Sequence, residues 1–382
     1  MFPTKPAQLS PQSHAHITRK LSTSPFSAAL RTGARTLRSE AHASTSGLKN
    51  CGNTCYLNSV LQCLAHSRSL CAALPGSTSE CSGVVSRALV DTINSMLSSS
   101  SPIRPSSLIT ALSRKDSKFS RGQQNCAQEA FLHITQALEE DLSRLKGPKP
   151  PYRELSGAGS EREQAEEAWQ YHRERSDSIV DDVFRLQLES IVQCKECGHR
   201  SLSFDPASDI LAPLPSAKRS SDGVSLEECI SAFFATEGLW PSSGYRCEGC
   251  KEHNVKASKQ MLVYKWPKEL VVTLKRFSPS FFGTLKNGIS MKLPDDLRLD
   301  LTRYCSDEAL RDMHTNGGGE PPKYALYAVS NHTGSLSFGH YTALAEEGEC
   351  TWNRFDDANV SPSPPPNASP EPYMLFFRRV GA

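Results

Sequence analysis

Hydrophobic and polar positions divide this chain into a helical half and a strand-rich half. From Gly47 to about Gly147 the apolar residues recur at helical spacing. A polar, Gly-containing turn runs into Tyr56, Leu57, Val60, Leu61 and Leu64, which predicts a core-facing helix over 55–64. Helices are also expected over 84–96, as a short piece after Pro105 carrying Leu108, Ile109 and Leu112, and over 128–145 with Ala130, Phe131, Ile134, Leu138 and Leu142 on one stripe. Cys63 and Cys71 fall among apolar neighbours and are expected as small core side chains. Residues 147–176 open with prolines and continue in Glu, Arg and Gln, the pattern of a surface loop or charged insertion.

The period then shortens. Strands are expected over 183–192, 201–204, 261–264, 270–274, 324–329, 341–345, 351–355 and 373–377. Ser225-Leu-Glu-Glu228 is a capping-box pattern opening a helix through Phe234. Gly317–Gly319 and the Pro-rich segment 361–371 are expected as connecting loops, and there is no internal repeat. The fold class is α+β, a helical half followed by a mostly antiparallel sheet, with a site between them.

Composition narrows the function classes. With 382 residues and 38% hydrophobic content the chain can bury a large core, and a net charge of +2 does not suggest a nucleic-acid or membrane-surface binder. No apolar run reaches the length of a membrane span, and no secretory h-region stands near the N-terminus. Thirteen cysteines, an odd number, argue for reduced thiols, metal ligation or catalysis in the cytoplasm or nucleus. Residues 1–46 are rich in Ser, Thr, Ala and Pro, with Glu40 their single acid, and are expected as a disordered tail. A mitochondrial transit peptide is the alternative, since those are basic and acid-poor.

Two groups of residues carry candidate chemistry. Cys55 stands where loop becomes helix, and a helix N-terminus favours the thiolate, the nucleophilic form. Asn50 precedes it on the loop, where its amide could serve as an oxyanion donor. A half-buried structural cysteine is the competing reading of this stretch alone. Far downstream, Gly339-His340 opens one strand, and Trp352-Asn-Arg-Phe355-Asp356-Asp357 ends the next. If these strands pair, Asp356 reaches one ring nitrogen of His340 and leaves the other for Cys55, a Cys–His–Asp triad with Asp357 as a second polar group. His332 and His199 are rival bases without that combination of Gly and carboxylate strand. The second group is Cys194-Lys-Glu-Cys197 with Cys247-Glu-Gly-Cys250, two knuckles suited to one closed, structural four-cysteine zinc site.

Together these segments resemble the ubiquitin-specific protease family of cysteine deubiquitinases. The Cys box is Gly47-Leu-Lys-Asn50-Cys-Gly-Asn-Thr-Cys55-Tyr-Leu-Asn-Ser, and the His box is Tyr324-Ala-Leu-Tyr-Ala-Val, then Gly339-His340-Tyr341, then Phe355-Asp356-Asp357. Leu274-Lys-Arg-Phe277, Tyr373-Met-Leu-Phe-Phe377 and the paired knuckles also match, in the family's order, over about residues 47–379. The resemblance implies a papain-like catalytic domain over 47–379, with a thumb in 47–146, palm and fingers in 177–379, and the zinc site within 194–250. It implies Cys55 as nucleophile, His340 as general base, Asp356 as orienting acid and Asn50 as oxyanion donor. Ubiquitin and ubiquitinated proteins are the implied partners, with the chain acting as a monomer.

One box departs from the family. Where Gln-Gln-Asp-Ala-x-Glu is usual, this chain has Gln124-Asn-Cys126-Ala-Gln-Glu129, so a cysteine stands where a carboxylate would meet ubiquitin's basic tail. Gln124, Cys126 and Glu129 are therefore the candidate tail contacts. The expected activity is a thiol isopeptidase cutting after the C-terminal Gly of ubiquitin. The alternatives are a weak or inactive ubiquitin-binding protein, and a protease for a ubiquitin-like modifier. A zinc-ribbon nucleic-acid binder is disfavoured by the near-neutral charge and the absence of a basic patch around the knuckles.

Overall fold

The computed structural model describes residues 45–215, 223–280, 283–315, 320–335, 338–348 and 351–381. The expected tail through residue 44 and the Gly317–Gly319 loop lie outside the described residues. The tail's last two positions do not behave as tail. Thr45 Oγ1 donates to Gln62 Oε1 at 2.9 Å, Gln62 Nε2 donates to Ser46 O at 3.0 Å, and Ser46 N donates to Met96 O at 2.9 Å.

The first half is helical: α1 (Cys55–Ala65), α2 (Arg68–Ala73), α3 (Val84–Ser98), α4 (Ser106–Lys115) and α5 (Ala127–Asp141). Every residue of α1 is buried, polar Asn58, Ser59 and Gln62 included, so it is a central helix enclosed on all sides. Its stripe of Tyr56, Leu57, Val60, Leu61 and Leu64 packs as predicted, each such side chain contributing roughly 1.5–3 kcal/mol by burial. Cys63 and Cys71 are core residues, also as predicted.

Two segments between the helical half and the sheets differ from expectation. Residues 147–176 are not all loop, since α6 spans Glu161–Arg175. Ser160 and Glu163 close a reciprocal capping box, acids occupy the first turn and bases the last. Only Ala165 and Ala168 of this helix are buried, so it carries no apolar stripe for periodicity to detect. The strand expected from 183 begins later. Ser178 caps a short helix α7 (Ile179–Val183), accepting from Val180 N.

The strands follow in order: β1 (Leu186–Cys194), β2 (Arg200–Ala207), β3 (Ile210–Ala212), β4 (Val224–Ser225), then α8 (Leu226–Phe233) behind the expected capping box, and β5 (Glu237–Leu239). Next come β6 (Ala257–Lys265), β7 (Glu269–Leu274), β8 (Phe277–Ser280), β9 (Gly283–Lys286), β10 (Met291–Lys292), β11 (Arg298–Asp300) and α9 (Asp307–Thr315). The chain closes with β12 (Lys323–Gly334), β13 (Gly339–Glu346), β14 (Trp352–Asp356), β15 (Asn359–Ser363) and β16 (Pro372–Arg379). Part of the expected 361–371 loop is thus the edge strand β15. Its exposed residues give no alternation, and an edge tolerates Pro362 because no ladder partner needs that N–H.

One large sheet runs β15-β14-β13-β12-β16-β7-β3, with β11 paired to β12, and a smaller one runs β2-β1-β6-β5. The large sheet is covered on both faces. Val271, Tyr327, Met374 and Phe376 face the helical half, while Leu270, Val272, Leu326, Leu375 and Phe377 enter a second core on the other side. Double burial explains the near-continuous apolar runs of β7 and β16. The result is an α+β, papain-like fold with α1 lying on β13.

Candidate active site

Cys55 is the first residue of α1, and its side chain is buried. The loop before it is locked by Asn50, whose Oδ1 accepts from Gly52 N at 3.0 Å and Thr54 N at 3.1 Å. Gly52 sits at φ 98°, in the left-handed region, so the turn is built around a glycine. The loop also docks on the far end of the chain. Leu48 N donates to Asp357 O at 2.8 Å, and a Cβ at Gly47 would lie 2.4 Å from Ala358 O.

Asp357 gathers two amides. It accepts from Asn50 Nδ2 at 2.9 Å through Oδ2 and from Asn58 Nδ2 at 2.8 Å through Oδ1. One N–H of Asn50 is therefore committed to a carboxylate, and the remaining N–H is the one an oxyanion could use. Asn58 escaped the sequence reading. Its signal was a polar residue one turn after Cys55 in a mostly apolar helix.

The two strands expected to pair do so, Ala343 to Glu346 lying opposite Phe355 to Trp352. His340 Nε2 lies 2.7 Å from Asp356 Oδ1, which leaves Nδ1 as the nitrogen available to take a proton. Arg354, also unforeseen, lies on the same strand two residues back and approaches Asp356 Oδ2 at 3.0 Å. Burial works against the charged form of Asp356, but His340 and Arg354 outweigh it and hold the carboxyl below its ordinary value.

The Cys55 thiol is pushed up, first by burial, with Asp357 adding to it; hydrogen bonding from the Tyr341 and Tyr56 backbones opposes the shift. The expected thiolate at the helix start is thus outweighed by desolvation and a nearby carboxylate. The Tyr341 contact places the sulfur beside the residue after His340, although among the described residues no hydrogen bond joins Cys55 to the imidazole. Such contacts often tighten only with substrate bound.

The rival histidines sit elsewhere. His332, on β12, is buried, and burial together with Lys286 pushes it down to about 4, so its ring is neutral. It fills the space behind Gly339, where a Cβ would lie 2.1 Å from His332 Nε2. His199 belongs to the knuckles, packed on Gly249.

The three tail candidates separate. Gln124 is exposed, and Glu129 faces Lys118 at 3.7 Å in a half-exposed pair. Cys126, at the N-cap of α5, lies with its sulfur 2.7 Å from Tyr373 Oη, and burial raises its thiol.

Cys194, Cys197, Cys247 and Cys250 bring their sulfurs within 4.8 Å of one another. Cys197 and Cys247 are 3.5 Å apart, close to the roughly 3.8 Å expected between thiolates 2.3 Å from a tetrahedral zinc. Gly249 N donates to Cys247 Sγ at 3.3 Å, the kind of backbone bond that supports a thiolate in a tight knuckle. The donor set and spacing are compatible with zinc.

The ubiquitin carboxyl-terminal hydrolase family matches residues 46–377. The chain belongs to this family. Ubiquitin carboxyl-terminal hydrolase 21 of mouse is 32% identical over 360 residues, and ubiquitin carboxyl-terminal hydrolase 2 of rat is 33% identical over 361. These alignments cover 87% and 90% of this chain but only 61% and 56% of the relatives, so the chain spans about three fifths of their length. In structure, the hydrolase fold is similar to the SAGA DUB module with Ubp8 bound to monoubiquitin. The TM-score is 0.65 at 24% identity, covering 89% of this chain and 70% of that one. The resemblance to ubiquitin-specific proteases carried by the Cys and His boxes therefore holds, and the likeness to Ubp8 extends to the arrangement of the fold.

Proposed function

We propose that this chain is a deubiquitinating thiol isopeptidase that hydrolyses the bond after the C-terminal Gly of ubiquitin on conjugated proteins. The observation that carries the reading is the His340–Asp356 pair at 2.7 Å, with His340 on β13, the strand against which the Cys55 helix packs. Cys55 is the nucleophile, His340 the base and Asp356 the group that orients it. Because the resting thiol is pushed up, it needs His340 to remove its proton as the substrate carbonyl arrives. Sulfur then attacks that carbon, and negative charge on the carbonyl oxygen meets the free N–H of Asn50 and the N–H groups at the start of α1. Protonated His340 gives its proton to the leaving amine. Water, deprotonated by His340, cleaves the thioester and restores the thiol.

Zinc held by Cys194, Cys197, Cys247 and Cys250 would be structural, since four thiolates leave no open position for substrate. Its contribution would be to tie β1 to the strand pair β5–β6 at the tip of the smaller sheet.

A ubiquitin-like modifier is the second reading, favoured by Cys126. The residue that stands where the family box holds an acid turns its sulfur to Tyr373. A panel of ubiquitin and ubiquitin-like probes with C-terminal electrophiles tests both. We expect a covalent adduct with the ubiquitin probe, lost in Cys55→Ala. An adduct only with another modifier would overturn the first reading, and no adduct with any probe would overturn both.

A further inference from the structure

The edge strand β15 carries a feature that hydrolysis does not use. Ser361, Pro362 and Ser363 lie on it, with Pro364 just past its end, and among the described residues no strand pairs on its outer side. Ser361 is exposed, and its hydroxyl has no partner among the described residues, whereas Ser363 Oγ donates to Pro364 O at 3.0 Å. The register sets Ser361 directly across from Arg354, and Asn359 directly across from Asp356. Directly opposed residues share a face, with Cβ atoms about 5 Å apart. Ser361, Arg354 and Asp356 therefore lie on one face, and Arg354 is the guanidinium that braces Asp356 Oδ2 at 3.0 Å.

We propose that Ser361 is a phosphorylation site for a proline-directed protein kinase, and that its phosphate draws Arg354 away from Asp356. An extended Ser-Pro segment on a free sheet edge suits a kinase that reads extended substrate and proline. In the transfer, Ser361 Oγ forms a bond to the γ-phosphorus of ATP, and the bond from that phosphorus to the bridging oxygen breaks. ADP leaves, and the hydroxyl proton passes to a base of the kinase. The product is a phosphate of charge about −1.5 to −2 facing Arg354, which is a stronger partner for a half-exposed guanidinium than one carboxylate.

Asp356 then loses one of the two groups that hold it ionised. The titratable groups facing it are His340 on β13 and, on its own segment, Arg354 and Asp357; residues 359–363 of β15 have none until the phosphate arrives. Loss of Arg354 and the approach of a dianion act in the same direction, raising the Asp356 carboxyl. The modification and the carboxyl shift do not rest on the activity proposed above.

The test incubates the full chain with MgATP and a proline-directed kinase, maps phosphate by mass spectrometry, and follows the Asp356 carboxyl by carbon-detected NMR. We expect phosphate at Ser361, absent in Ser361→Ala and retained in Ser363→Ala. The titration midpoint of Asp356 should rise. No phosphate at Ser361 overturns the site. A phosphorylated chain whose Asp356 titration is unchanged overturns the coupling, and because that measurement needs no substrate, its failure is separate from failure of the hydrolase reading.

Discussion

Asn58 Nδ2 and Asp357 Oδ1 are 2.8 Å apart although 299 residues separate them in sequence. Through this bond and the 2.9 Å bond from Asn50, one carboxylate fixes both the loop before Cys55 and the first turn of its helix. Asp357→Ala would leave the buried Asn58 amide without its carboxylate and free the loop. We expect about 1–3 kcal/mol of lost stability by urea unfolding. Turnover should fall more than KM rises, because the nucleophile is displaced rather than the substrate. Asp357→Asn, which keeps one acceptor, should lie between.

Cys55→Ala should abolish turnover without disturbing the fold, since it removes one sulfur atom at a helix start. His340→Ala should cost nearly as much, because the residues of a triad act as a unit. Steady-state turnover of a ubiquitin–fluorophore substrate, alongside unfolding curves, checks this. Wild-type turnover in Cys55→Ala would remove the sulfur from the mechanism.

Glu189 on β1 makes stability depend on pH. It is fully buried, and burial, then Glu161, raise its carboxyl from the ordinary 4.5 to about 7, against an opposing bond from Ser306. Between those two values the folded chain binds a proton that the unfolded chain has released. Stability therefore falls as pH rises through that window and levels off above it, by up to about 3 kcal/mol at ~1.4 kcal/mol per unit. Glu189→Gln should flatten this slope and be the more stable protein at pH 8. Urea midpoints across pH 5–8 measure it. A wild-type slope retained in the variant assigns the effect to another group.

Cys247→Ser should lower zinc content and thermal stability together, since thiolate ligation couples metal binding to folding of the segment. Metal analysis of protein purified without chelator should give one zinc per chain in the wild type. Absence of zinc there would mean that the four cysteines hold another partner or none.

Cys126→Asp tests the altered box. An Asp would still offer Tyr373 an acceptor, and its second oxygen could receive an arginine of the ubiquitin tail. At the lower end of charge-assisted bonds, about 1.5 kcal/mol, KM should fall roughly tenfold with little change in kcat. An unchanged or higher KM in a folded variant would mean that this position packs the start of α5 and does not meet the tail.

Much was legible in the sequence because it rested on local pattern. The buried stripe of α1, the capping box before α8, the apolar runs of β7 and β16 and the two knuckles each follow from periodicity or spacing within one segment. So did the pairing of His340 with Asp356, because it needed only two neighbouring antiparallel strands. The helix over 161–175 was signalled by Ser160 and Glu163, but with two alanines as its buried face it had no stripe to confirm it. Tertiary structure alone decided the rest. The Cys55 thiol is raised rather than lowered because helix-start polarity acts locally, while burial and Asp357 arrive from distant chain. Asn50 gives one N–H to Asp357, Cys126 turns to Tyr373, and Arg354 braces Asp356 across from Ser361. Residue types and spacing determine which groups exist and which element each sits on; desolvation and partnership depend on what other segments bring to the same few ångströms, and only the packed fold fixes that.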